Sequence, residues 1–162
     1  MALYKGTEAT MSVVAFNFTK IAGERRQPEQ GKLSVNNQTK LLSIKESPLG
    51  SQKALLFTFE HVTEYEPKLA TITMVGEVLV LSNEAEIKET LELFSKQKPI
   101  NKVLTEKVFN NILTRVSLQA LLMARDLNLP APFRLPSVSF NEAGPAAPAV
   151  EKPADKAKGK KK

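Results

Sequence analysis

Apolar residues recur along this chain with two periods, about two residues in the first half and three to four in the second. From Ser12 to Arg26, Val14, Phe16 and Phe18 fall on one strand face, and Val13, Ala15 and Ile21 on the other. Pro28 and Gly31 bracket a turn. Lys32 to Glu46 reads as a second strand whose parity changes: Leu33, Val35 and Leu41 are odd, Leu42 and Ile44 even. A bulge or break near Asn36-Asn37 would produce that switch. Pro48 and Gly50 turn the chain again. From Ala54 to Glu66, Leu55, Phe57, Phe59 and Tyr65 oppose Thr58, Glu60 and Glu64, as in a half-buried antiparallel strand. After a turn at Pro67-Lys68, Thr71 to Leu81 sets Ile72, Met74, Val78 and Val80 together, with Gly76 as a bulge or close-approach point. Short turns between four long strands predict an antiparallel meander or a close variant of it.

Helical spacing begins at Asn83. Ser82 and Asn83 suit a cap, Glu84 and Glu86 suit the positive helix start, and Ile87, Leu91 and Phe94 form a narrow apolar face that Pro99 ends. A longer helix follows, with Thr105 as its expected N-cap. Its stripe runs Phe109, Ile112, Val116, Ala120, Met123 and Leu127. Asn128 occupies the place of a left-handed cap, and Pro130 prevents continuation. At about 100° per residue, Leu118 and Leu122 fall nearly opposite the stripe, with Leu121 between the faces. A small sheet cannot cover both sides of such a helix, so Leu118, Leu121 and Leu122 are expected to meet another copy or a partner. The elements together predict an α+β domain: a four-stranded antiparallel sheet followed by a short and a long C-terminal helix.

Beyond the long helix, prolines at 130, 132 and 136 hold residues 127 to 136 extended and remove three backbone donors. Leu129, Phe133, Leu135, Val138 and Phe140 decorate this stretch. Two readings stay open for them: closing the core after the helix, or rimming a groove for an extended apolar peptide. After Asn141 the composition shifts to Ala, Pro, Glu and Lys, which predicts disorder. The expected organisation is thus a leader at 1–11, one α+β domain at 12–140 and a basic tail at 141–162.

Charge changes the picture in one respect. The formal net charge is +6, and residues 151–162 hold six Lys against Glu151 and Asp155, which is +4 of it. The basic balance therefore belongs mainly to the tail. Its Lys156, Lys158, Lys160, Lys161 and Lys162 are candidates for anion or RNA contact, which would be salt-sensitive and blind to sequence. The chain contains no Cys, which removes disulfides and thiolate metal sites and fits a reducing cytoplasm. No run of about 18 apolar residues is present to span a membrane, and the N-terminus does not read as a signal peptide.

Catalysis needs a tuned acid, base or nucleophile in a pocket, and here there is one His, no Cys, and only Asp126 and Asp155 as aspartates. His61 alternates with Phe59 and Thr63 and reads as structural. Glu84, Glu86, Glu89 and Glu92 read as a solvated helix face. Gly23 and Gly31 read as turn glycines, not a phosphate-binding loop, and no His/Cys/Asp grouping has ligand spacing. An enzyme, a cofactor and a metal are not expected.

The order of elements, with FNFTKI at 16–21, GEVLVL at 76–81 and LTEKVFNNILTRVSLQALLMARDLNLPAPFRLPSVSF at 104–140, resembles the SecB family of export chaperones and its SecB-like relatives. RLPSVSF at 134–140 is similar to the N-L-x-P-V-N-F-like close of that family. The likeness covers about residues 12–140 as a pattern of elements with short matches. It implies a homotetramer, a dimer of dimers with helices in the assembly surface, that holds unfolded chains in long hydrophobic grooves without ATP. By position, the groove candidates are Leu129, Phe133, Leu135 and Phe140, with Phe94. The chain departs from the family pattern in charge: SecB proper is acidic and docks an export motor, whereas this body is near neutral and its tail ends in GKKK, which speaks against motor docking. The expectation is a cytoplasmic, ATP-independent holdase for nonnative or nascent polypeptides. The alternative is a ribosome-associated protein whose basic tail binds rRNA.

Overall fold

Strict alternation in the two central strands sets the architecture. The computed structural model describes residues 11–27 and 30–135. It contains four strands, β1 (Ser12–Arg25), β2 (Ser34–Leu49), β3 (Gln52–Glu66) and β4 (Ala70–Leu81), then two helices, α1 (Glu84–Ser95) and α2 (Lys102–Asp126). The sheet is antiparallel throughout, in the order β1-β4-β3-β2. The last three strands form a meander, while β1 lies beside β4, so the β1–β2 link passes from one sheet edge to the other. This is the Greek-key variant of the expected meander.

Odd residues of β3 and even residues of β4 face the core: Leu55, Phe57, Phe59 and Tyr65 lie beside Ile72, Met74, Val78 and Val80, all fully or almost fully buried. Each such side chain contributes roughly 1.5–3 kcal/mol by leaving water. α1 lies over β2 and β3, and α2 over β4 and β1. The opposite sheet face mixes the polar Thr58, Glu60, Glu64, Thr71 and Glu77 with the half-buried apolar Leu56, Val62, Val75 and Leu79.

Irregularities in the edge strands re-aim their side chains. In β1 the register shifts between Val13 and Ala15 and again between Phe18 and Lys20. Val13, Phe16, Phe18 and Ile21 therefore pair with Val80, Val78, Gly76 and Met74 on the helix-covered face, and Val14 turns to solvent. Simple alternation had put Val13 and Ile21 opposite Phe16. In β2 the shift lies between Leu41 and Ser43, not at Asn36-Asn37, which pair regularly with Glu64 and Thr63. The extra residue is Leu42, left exposed. The β2–β3 hairpin closes through Gly50 and Ser51, and Gly50 has a φ of 61°, a left-handed conformation that glycine adopts without a Cβ penalty.

Both helices have defined ends. The Asn83 side chain accepts from the Glu86 N–H at 2.8 Å and caps α1. α2 starts at Asn101, whose Oδ1 accepts from Val103 N–H at 2.9 Å. Thr105, the expected cap, is already inside the helix, where its hydroxyl donates to Asn101 O. The buried stripe is Leu104, Val108, Ile112, Val116, Ala120 and Ala124, with Phe109, Met123 and Leu127 half-buried beside it. At the far end Asn128 has a φ of 51°, Leu129 N donates to Ala124 O and Asn128 N to Arg125 O. That pair of bonds is a Schellman close.

Candidate functional site

The helix-covered face is not apolar throughout. At the end of the sheet where β2 starts and β3 finishes, Asn37 and Thr39 of β2 stand beside Thr63 and His61 of β3 at core-facing parity. They form a directional chain. The amide of Asn37 donates to Pro132 O at 2.7 Å, so its Oδ1 accepts from the Thr63 hydroxyl at 2.7 Å. Thr63 Oγ1 then has its proton committed and accepts from His61 Nε2 at 3.1 Å. This fixes the Nε2–H tautomer and leaves Nδ1 to accept from the Thr39 hydroxyl at 2.6 Å. Burial pushes the His61 imidazole below its ordinary pKa, which keeps it neutral in this chain.

Over this polar floor lies the segment that leaves α2. Gly23 of β1 is a strand glycine, not a turn glycine, and a Cβ there would stand 2.8 Å from Leu127 Cδ1. Its absence lets the end of α2 approach β1, and Arg25 then donates to the carbonyls of Leu127 and Asn128. A cation at the carbonyl end of a helix also suits its dipole. From there the chain crosses β3 and β2: the Tyr65 hydroxyl donates to Pro130 O at 2.8 Å, and Asn37 holds Pro132 O. Two side-chain donors thus hold carbonyls two residues apart. Burial also raises the Tyr65 pKa, so the phenol stays a donor at neutral pH.

Leu129, the first candidate groove residue, is half-buried against the core, as is Phe94 in the last turn of α1. Phe133 and Leu135 remain exposed, at 39% and 51%. Phe94 therefore sits on a different element from the other three and shares with Leu129 the same core cluster. On α2, Leu118 is 61% and Leu122 46% exposed, and Leu121 is half-buried. Phe140 and the tail lysines Lys156, Lys158, Lys160, Lys161 and Lys162 lie outside the described residues.

Asn37, Thr39, Thr63 and Tyr65 are floor residues that the sequence did not mark as a site: Asn37 read as a bulge position, Tyr65 as core and Thr63 as a neighbour of His61. Their signal was present: polar residues at the core-facing parity of two successive strands. It becomes meaningful only once the register sets Asn37 opposite Thr63 and Thr39 opposite His61.

At the opposite end of the sheet, Ser51, Gln52, Lys53, Leu81, Ser82, Asn83 and Glu84 line an open cleft of about 510 Å³. Lys53 bridges Glu46 at 3.2 Å and Glu84 at 3.6 Å, and the Glu46 bond chiefly raises its pKa. This exposed clasp ties the β2–β3 hairpin to the start of α1. Among the described residues no group of three or more His, Asp or Glu could hold a metal ion, and no helix is long and apolar enough to cross a membrane.

Neither a protein-family model nor a curated protein sequence matches the chain. Solved structures do. A SecB-like chaperone of Mycobacterium tuberculosis, Rv1957, captured with a ChAD peptide from the HigA1 antitoxin, aligns over 80% of this chain and 91% of its own with a TM-score of 0.52. The aligned sequences are 10% identical, so the likeness is one of fold: a four-stranded antiparallel sheet with two helices in the SecB-like arrangement.

Proposed function

We propose that this protein is an ATP-independent holdase that binds nonnative polypeptides along apolar surface and works as a homo-oligomer. The observation that carries the reading is the pairing of exposed Phe133 and Leu135 with a floor whose donors already hold backbone carbonyls, at Pro130 O and Pro132 O. Such a surface offers apolar contact to client side chains, and its two donors read backbone carbonyls rather than side chains. The outer edge of β2 lies alongside as a further place for backbone pairing. A peptide bound to the SecB-like chaperone of the same fold supports the reading. Binding of this kind requires no covalent chemistry.

The test is suppression of aggregation of a chemically denatured client, followed by light scattering without nucleotide. Near-stoichiometric protein should keep the client dispersed. Phe133→Ala with Leu135→Ala should weaken holding several-fold while the melting temperature stays within about a degree, because exposed apolar side chains contribute little to folding. A protein that leaves every client tested to aggregate at its normal rate is not a holdase.

A further inference from the structure

We infer that residues Pro130 to Pro132 act as a built-in ligand that occupies the backbone-reading part of the client face and must be displaced before a client can use it; this rests on the holdase reading above. The seat reads backbone. Tyr65 and Asn37 donate to the carbonyls of residues 130 and 132, and neither bond involves a side chain of the segment. Every chain carries such carbonyls, so the donors that hold Pro130 and Pro132 are open to a foreign backbone once the segment leaves. The segment itself is built as a good occupant. Its two prolines restrict φ and so reduce the entropy lost on seating. They also lack N–H groups, so laying them over the floor strands no donor.

The tether makes it a strong competitor. Residues 130–132 follow directly from the α2 close at Asn128 and Leu129, which Arg25 anchors to β1. A ligand joined this closely has an effective concentration on the order of millimolar or above. The segment is also poised to leave. Outside the two carbonyl bonds, Pro132 is buried but Pro130 is exposed and Ala131 only half-buried. The Asn37 tie, through Thr63 and His61 to Thr39, spans β2 and β3 without any charged group, so its release exposes only neutral polar atoms. A client's apparent affinity is then its intrinsic affinity reduced by the fraction of molecules with the seat open.

The experiment uses the full chain carrying Pro132→Asp, which places a carboxylate where a buried proline sat and lifts the segment while leaving the Tyr65 and Asn37 donors unchanged. Two titrations are made. In the first, an extended apolar client peptide should bind the variant about tenfold more tightly than the wild-type protein, as expected from losing one or two neutral hydrogen bonds that favour closure. In the second, a labelled synthetic peptide of residues 127–135 should bind the variant in trans, fail to bind wild type, and fail again when Asn37→Ala and Tyr65→Phe are added. Should Pro132→Asp not fold, Pro130→Gly with Pro132→Gly loosens the segment by freeing its backbone and removing the buried Pro132 ring. A folded variant that binds the client no better than wild type, or that ignores the 127–135 peptide, overturns the inference. Binding of that peptide alongside clients that bind neither protein would sink the holdase reading and leave the occupied seat standing.

Discussion

At the scale of single residues, His61 is the group with most at stake. It is 6% exposed, sits between two threonine hydroxyls, and its lowered pKa has burial as its cause rather than a neighbouring charge. In the unfolded chain it titrates near the ordinary 6.5, whereas in the folded chain it resists protonation until the pH is lower. Between those values the unfolded state binds more protons, so stability rises with pH in that window and is lost as pH falls below 6.5. Urea midpoints measured from pH 7.5 down to pH 5 should therefore decline, and His61→Gln should remove most of that slope. Parallel declines in both proteins would assign the slope to other groups. Sequence placed His61 in a strand and gave it a structural role, and that much was legible from its alternation with Phe59. Its Thr39 partner was not, because it lies 22 residues away on a strand whose register only the fold sets.

At the scale of elements, the strands and helices follow from local periodicity, but their facing depends on partners. The two shifts in β1 and the one at Leu42 in β2 each move a residue out of alternation, and a lone strand carries no sign of where its neighbour will absorb the slip. The position of β1 beside β4 is equally non-local. Glycines show how tightly these elements then fit. A Cβ on Gly76 would stand 2.6 Å from Asn17 O and 2.7 Å from Phe59 Cζ, between the backbone of β1 and the ring that packs against Phe16 and Phe18. One on Gly23 would meet only the flexible ends of Leu127 and Met123. Gly76→Ala should accordingly cost roughly 1–3 kcal/mol, as overpacking against immobile atoms does. Gly23→Ala should cost clearly less, since a methyl and a thioether can swing aside and alanine narrows the unfolded ensemble. Denaturant midpoints compare the two directly, and equal losses would mean that the end of α2 is as rigid as the sheet.

At the scale of the whole molecule, α2 divides its apolar residues between two surroundings. Its buried stripe is satisfied by β1 and β4, yet Val103, Leu113, Leu118 and Leu122 stand in water on the single chain. An isolated exposed leucine needs no explanation, but Leu118 and Leu122, one turn apart on the side of α2 away from the stripe, form a patch that assembly would cover. The proposed interface at Leu118, Leu121 and Leu122 also leaves the client face free, because the post-helix segment crosses β3 and β2 while these residues project from the back of α2. Holding and assembly should then separate under mutation. Light scattering after size exclusion should give the purified protein a mass several times the 17.9 kDa of one chain. Leu118→Asp with Leu122→Asp should bring it down to the single-chain value with helicity unchanged, since neither side chain belongs to the core. Burying an unpaired carboxylate at a subunit contact costs several kcal/mol, enough to dissociate an interface of ordinary affinity. If the wild-type chain already runs as a monomer, this helix surface is reserved for a different protein, and client capture must be achieved by one chain and one seat.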